Sequence, residues 1–189
     1  MKVVIILGSI REGRKTHRVA HYLVKMLNEQ PGVETILLDL ESHELPLLKD
    51  RWAEQETVNP VLADFSAQLK AADALIFVSP EYHGSYTGVL KNAVDHFWKE
   101  FSHKPIGVVA TGSGKFGGIN ASTEMQLLIL SLGAFPMPYK LLVPNVNRLF
   151  GETDEPLDEF FLKSVNKFVA EFCWFAEALV KARQAQIFS

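Results

Sequence analysis

Residues Gly8 to Ala20 read GSIREGRKTHRVA and set Arg11, Arg14, Lys15 and Arg18 against one acid, Glu12. The chain as a whole carries a formal charge of −3, so this positive excess is local. An apolar, β-branched run, Lys2–Gly8, comes just before it, and a helical pattern starts at about Thr16. A loop that runs from a strand into a helix N-terminus offers an anion free backbone N–H groups and the positive end of the helix dipole. Ser9 and Thr16 add hydroxyl donors, and Arg11 can hold a phosphate through two parallel hydrogen bonds. The alternative is a solvated basic turn. The position after the first strand favours the phosphate, and a terminal monoester over a pyrophosphate, because the loop is rich in cations and lacks G-x-G-x-x-G.

Two further stretches carry chemistry. SPEYHGSYTGVLKNAVDHF, Ser79–Phe97, brings together flat, polar-edged Tyr82, His83 and Tyr86, with Gly84 permitting close backbone approach. Lys91, Asn92 and Asp95 in the same stretch read as local structural pairs, and Trp98 as packing. GSGKFG, Gly112–Gly117, matches G-x-G-x-x-G but is not a dinucleotide fingerprint. It follows the fourth strand, and no strand ending in an acid lies about 20 residues further on. Phe116 stands where a P-loop needs Ser or Thr. The better use of this loop is to let a flat ring approach the backbone.

These loops need a scaffold to converge, and the pattern of the chain supplies one. Apolar runs at Lys2–Gly8, Val33–Leu40, Ala74–Pro80 and Pro105–Thr111 read as strands covered on both faces. A fifth lies near Phe135–Val143, blurred by Pro136, Pro138 and Pro144. Helical patterns alternate with them: Thr16–Glu29, a helix to about Ala71 begun by Asn59-Pro60, Gly88–Phe101, Gly118–Leu132, and a closing helix from Leu157 to about Arg183. Glu41–Asn59 is polar and irregular. The expected fold is α/β, a doubly wound five-stranded parallel sheet with helices on both faces. Ligands in such sheets bind beyond the carboxyl ends of the strands, which directs attention to Ser9–Lys15, Pro80–Thr87 and Thr111–Gly117.

Composition narrows the class. With 189 residues, 48% hydrophobic and 22% charged, the chain is expected to be one soluble domain spanning 1–189. The mild charge argues against nucleic acid as a partner, and no apolar stretch approaches the roughly 20 residues of a membrane span. The first residues read as a buried strand rather than a leader, so the expected address is the cytoplasm. Cys173, the one cysteine, reads as core filler; neither a disulfide nor a metal site is expected.

The motifs resemble those of the NADPH-dependent FMN reductase family of flavodoxin-like proteins, which includes quinone, chromate and azo-dye reductases. GSIREGR is similar to the family's phosphate loop, G-S-x-R-x-G-R or G-S-x-R-x-x-S. SPEYHGSYTGVLKNAVD is similar to its S-P-E-Y-N-x-S-x-x-x-x-L-K-N-A-x-D, and GSGKFGG falls at its third flavin loop. The likeness runs from Lys2 to about Pro138. It departs at His83, where Asn is usual, at Arg14, where many members have Ser, and at the pair Thr16-His17.

The resemblance implies that Ser9, Arg11, Thr16, His17 and Arg18 hold the phosphate of a bound FMN. Pro80, Glu81, Tyr82, His83 and Gly84 would border its ring system, and Ser113 and Gly114 would touch its pyrimidine edge. NADPH or NADH would supply hydride to the FMN N5 atom in a ping-pong cycle that needs no catalytic side chain. Backbone N–H groups at Tyr82–Gly84 and Ser113–Gly114 would stabilise developing negative charge. The acceptor would be a quinone-like molecule, a flavin, an azo compound or a metal oxyanion, and the assembly a homodimer or homotetramer. A flavodoxin-type electron carrier without turnover of its own is the alternative; the arginine-rich loop and mild net charge speak for the reductase. A flavin-free scaffold keeping only the fold is a further rival, and a single cysteine excludes an iron–sulfur flavoprotein.

Overall fold

The strand β1 (Lys2–Leu7) explains the architecture, because side chains along a strand alternate between faces. Val3, Ile5 and Leu7 enter one apolar cluster, while Val4 and Ile6 enter another on the opposite side. A continuous apolar run is what a strand covered on both faces requires. The computed structural model describes residues 1–50 and 59–185; residues 51–58 of the polar Glu41–Asn59 stretch lie outside the described residues.

Around β1 the chain lays down α1 (Thr16–Asn28), β2 (Glu34–Asp39), α2 (Pro60–Ala71), β3 (Ala74–Pro80), α3 (Gly88–Asp95), β4 (Pro105–Thr111) and α4 (Ile119–Ser131). Two short strands follow, β5 (Phe135–Pro136) and β6 (Leu141–Val143), and then α5 (Glu159–Gln184). The sheet order is β2-β1-β3-β4-β5, every pairing parallel, and β6 also pairs with β4. The 2-1-3-4-5 order is that of flavodoxin-like folds. Leu23 of α1 and Phe168 and Phe172 of α5 bury against one face; Leu62 and Phe65 of α2, Leu90 of α3 and Met125 of α4 bury against the other.

Two expectations change. The expected fifth strand is two pieces: Phe135 and Pro136 pair with Pro105 and Ile106, Leu141 to Val143 pair with Val109 to Thr111, and Pro138 falls in the break between them. Helix α3 ends at Asp95, not at Phe101. Phe97 and Phe101 are buried beside Phe65 and Phe77, but they reach the core from turns. Their spacing from Val94 imitates a helical face, which is why periodicity extends the helix too far.

Caps match the sequence. Asn59 Oδ1 accepts hydrogen bonds from the Val61 and Leu62 N–H groups at 3.0 and 3.2 Å, with Pro60 in the first turn. Asp158 does the same for Phe160 and Phe161 at the start of α5. No helix among the described residues is long and apolar enough to cross a membrane. Cys173 is half-buried against the core, and burial raises its thiol pKa, consistent with packing rather than reactivity.

Candidate functional site

The sheet reverses its winding between β1 and β3, so the loops after them diverge to opposite faces and leave a crevice at their carboxyl ends. Gly8 is fixed there by crowding. A Cβ on it would lie 2.7 Å from Leu90 Cβ and 3.0 Å from Thr87 Oγ1. Thr87 begins α3 and donates to the Gly8 carbonyl at 2.7 Å, tying the first loop to the second.

Next to this junction lies a cavity of about 240 Å³. Ser9, Arg11 and Thr16 line it from the first loop, Pro80, Glu81 and Tyr82 from the second, and Ser113 from the third. Seven of the residues singled out in the sequence therefore meet at one place. Ser9 and Thr16 are buried, at 1% and 3% exposure, and Thr16 Oγ1 lies 2.8 Å from Thr111 Oγ1, joining the first turn of α1 to the end of β4. Another cavity, about 340 Å³, is walled by Glu41 and Glu44 with no Lys or Arg, a lining that does not suit an anion.

His17, Arg18, His83, Gly84 and Gly114 do not line the 240 Å³ cavity. Arg18 donates to the Gly151 carbonyl at 3.0 Å and to that of Thr153, and its guanidinium lies 4.7 Å from the Phe150 ring centre. It fastens α1 to the segment before α5. Burial, with the nearby Arg14 charge, lowers the His17 pKa, which favours the neutral ring over a cation. His83 and Gly84 are the tip of a tight turn: Tyr82 and Ser85 exchange hydrogen bonds at 2.9 and 3.1 Å, and φ is 51° at His83 and 79° at Gly84. Two successive positive φ values make a turn that favours Asn-Gly, and His is among the few other residues that tolerate the first position.

The carboxylate of Glu81 points across the sheet. It accepts from Asn120 N at 2.9 Å and Ala121 N at 3.0 Å, and so caps α4, whose own Gly118 offers no side chain. In the third loop most glycines serve packing. A Cβ on Gly117 would lie 2.9 Å from Val143 N, and one on Gly118 2.9 Å from Ala110 Cβ. Gly114 has open space around its Cα and is the position where a ring could approach.

The cavity also has walls beyond the residues the resemblance assigned to FMN: Arg14, Lys15, Thr111 and Gly112, which fall in the loops the strand ends picked out, and Val146 and Asn147, which do not. Val146 and Asn147 follow β6, and the rule that ligands sit beyond strand ends applies to the fifth strand as to the others. Arg14 was visible as a cation, but its partner Asp39 lies on another strand. Its guanidinium meets both Asp39 oxygens, at 2.6 and 2.7 Å. Burial alone would raise the Asp39 pKa; the hydrogen bonds from Arg14 and the Glu41 N–H outweigh it and hold the carboxyl below its ordinary value.

The residues fit the FMN that the motifs imply. Lys15, at the N-cap of α1, makes no side-chain capping bond; its carbonyl takes the Arg18 N–H at 3.1 Å, and the Thr16 and His17 N–H groups face the start of the helix beside two buried hydroxyls. No group of three or more potential metal ligands occurs among the described residues.

A doubly wound sheet of order 2-1-3-4-5, with a cavity lined by cations and hydroxyls after β1, defines a flavodoxin-like protein. The sequence model of the family described as NADPH-dependent FMN reductase matches residues 1–148. An NADPH azoreductase of Bacillus sp. (strain OY1-2) is 29% identical over 176 residues, covering 91% of this chain and 94% of that one. An FMN-dependent NADPH-azoreductase of Staphylococcus haemolyticus (strain JCSC1435) is 31% identical over 147 residues, 75% of this chain and 76% of that one. Among solved structures, FerB, a flavoenzyme NAD(P)H:(acceptor) oxidoreductase from Paracoccus denitrificans, superposes with a TM-score of 0.80 at 24% identity, covering 94% of this chain and 97% of that one. The chain belongs to the NADPH-dependent FMN reductase family and is an FMN-dependent NAD(P)H oxidoreductase.

Proposed function

We propose that the 240 Å³ cavity is the FMN site, with the phosphate between Ser9 and Thr16 and the ring over Pro80, Tyr82 and Ser113. The observation that carries this is the meeting of three loop ends in one crevice, cationic and hydroxyl-lined at one side and flat and glycine-rich at the other. Arg11 and Lys15 supply charge, Ser9 and Thr16 donate hydroxyls, and the α1 N-terminus donates N–H groups. Tyr82 N–H is engaged by the Ser85 carbonyl, which leaves the His83 and Gly84 N–H groups at the tip of the turn for a ligand. An FMN held there would supply the hydride-accepting redox chemistry between NADPH or NADH and an acceptor. Tyr82, 40% exposed, shapes an open side where a small acceptor such as a quinone, a flavin, an azo compound or a metal oxyanion would arrive.

The same reading takes 1–189 as one cytoplasmic domain that works as a homodimer or homotetramer. Helix α4 exposes Leu127 and Leu130, at 56% and 59%, beside a groove of about 290 Å³ between α3 and α4. This apolar face is the one a second copy would cover. Purification tests the function: the protein should be yellow, release FMN on denaturation, and oxidise NADPH or NADH in the presence of a quinone or azo acceptor. A colourless protein that fails to take up FMN, or a flavin-loaded one that reduces no acceptor, contradicts it.

A further inference from the structure

Arg14 lines the cavity assigned to the phosphate, yet both terminal nitrogens of its guanidinium are engaged elsewhere. Nη1 donates to the Ser9 carbonyl at 2.5 Å and to Asp39 Oδ1 at 2.6 Å. Nη2 donates to Asp39 Oδ2 at 2.7 Å and to Glu41. Its side chain is only 12% exposed. Two carboxylates meet its one positive charge, so the three groups together carry a net negative charge and Arg14 brings no positive charge to an anion. Arg11 and Lys15, in contrast, are exposed and form no ion pair among the described residues.

We propose that Arg14 is a positioning residue that presets the phosphate loop, and that Asp39 and Glu41 set the loop's charge. This rests on the FMN reading of the cavity. A carbonyl oxygen repels a phosphate. Arg14 draws the Ser9 carbonyl to itself, and the planar trans peptide turns the Ile10 N–H to the opposite side. The Arg14 backbone N–H also donates to the Arg11 carbonyl at 3.0 Å, closing the turn in which Gly13 adopts φ 69°. One residue thus closes the loop through both backbone and side chain. The anchor is rigid, because Asp39 ends β2 in register with Leu7 of β1, immediately before the loop begins. With Arg14 neutralised, two unpaired cations remain for a monoester whose charge near neutral pH approaches −2.

The test is titration of flavin-free protein with FMN and with riboflavin, which lacks the phosphate, at low and high salt. Asp39→Asn keeps an oxygen for Arg14 and removes the neutralising charge. FMN should then bind about threefold to tenfold tighter, with a steeper salt dependence, while riboflavin affinity stays the same. Glu41→Gln, at a more exposed position, should shift FMN in the same direction by less. Arg14→Ala should weaken FMN by about tenfold without affecting riboflavin, and Asp39→Ala in the same chain should restore part of the loss. FMN affinity that falls or stays constant in both Asp39→Asn and Glu41→Gln overturns the proposal while leaving the FMN site intact. A wild-type protein that binds neither flavin overturns the FMN reading and this proposal with it.

Discussion

Glu81, at the end of the third strand, caps a helix that begins after the fourth: its carboxylate lies 2.9 Å from the amide nitrogen of Asn120. The second and third loops are therefore held to each other by one side chain. Glu81 also donates its own N–H to the Thr111 carbonyl at 2.9 Å, so the link runs through side chain and backbone together. Glu81→Ala should cost about 1–2 kcal/mol of stability, the usual loss for a helix cap, read from urea unfolding. Glu81→Gln, which keeps an acceptor, should retain part of it. A stability unchanged by Glu81→Ala would show that the cap contributes nothing.

Arg11, in the loop after β1, and Arg18, in the first turn of α1, serve different ends. Arg11→Ala should weaken FMN binding by roughly 1.5–3 kcal/mol, the range of a hydrogen bond to a charged group, with little change in melting. Arg18→Ala should do the reverse, lowering thermal stability by releasing the Gly151 and Thr153 carbonyls while leaving FMN affinity close to wild type. Binding by fluorescence quenching and melting by circular dichroism separate the two.

The turn at His83 makes a conformational prediction. With φ at 51°, His83→Asn should be neutral or slightly stabilising, and His83→Val, β-branched and strained at positive φ, should destabilise by about 1–2 kcal/mol. Equal stability of the two variants would argue against a rigid turn here.

Lys104 predicts a pH dependence far from the site. Its ammonium is buried at the C-terminus of α2, where it donates to the Leu69 and Lys70 carbonyls, and desolvation lowers its pKa from 10.5 to about 8. Between those values the unfolded chain binds more protons than the folded one, so this residue makes stability rise with pH across that window. Lys104→Met lacks the effect. Moving from pH 7 to pH 9.5 should shift the stability difference in favour of wild type by roughly 2 kcal/mol, measured by urea unfolding of both proteins. A difference that does not change with pH would contradict the buried ammonium.

Local signals made much of this legible in the sequence. Strand β1 announced its burial by its unbroken apolar run, and Asn59-Pro60 announced a cap by residue type alone. What stayed hidden depends on partners distant in the chain. Asp39 lies 25 residues from Arg14 and Glu81 lies 39 from Asn120, and nothing local distinguishes these carboxylates from solvated ones. The phosphate-loop cations show the same limit. Arg11, Arg14 and Arg18 look alike in sequence, yet Arg11 lines the cavity with no ion pair among the described residues, Arg14 is neutralised, and Arg18 clamps Gly151 and Thr153. The apparent helix through Phe101 failed for a related reason, because buried aromatics at helical spacing report burial and not backbone conformation.

The central claim is that the loop after β1 receives the phosphate of FMN. Calorimetric titration of flavin-free protein with FMN and with riboflavin tests it most directly. The account predicts FMN binding tighter by tenfold or more, about 1.4 kcal/mol at the least, with the advantage shrinking as salt rises. Equal affinity for the two flavins at low salt would contradict it.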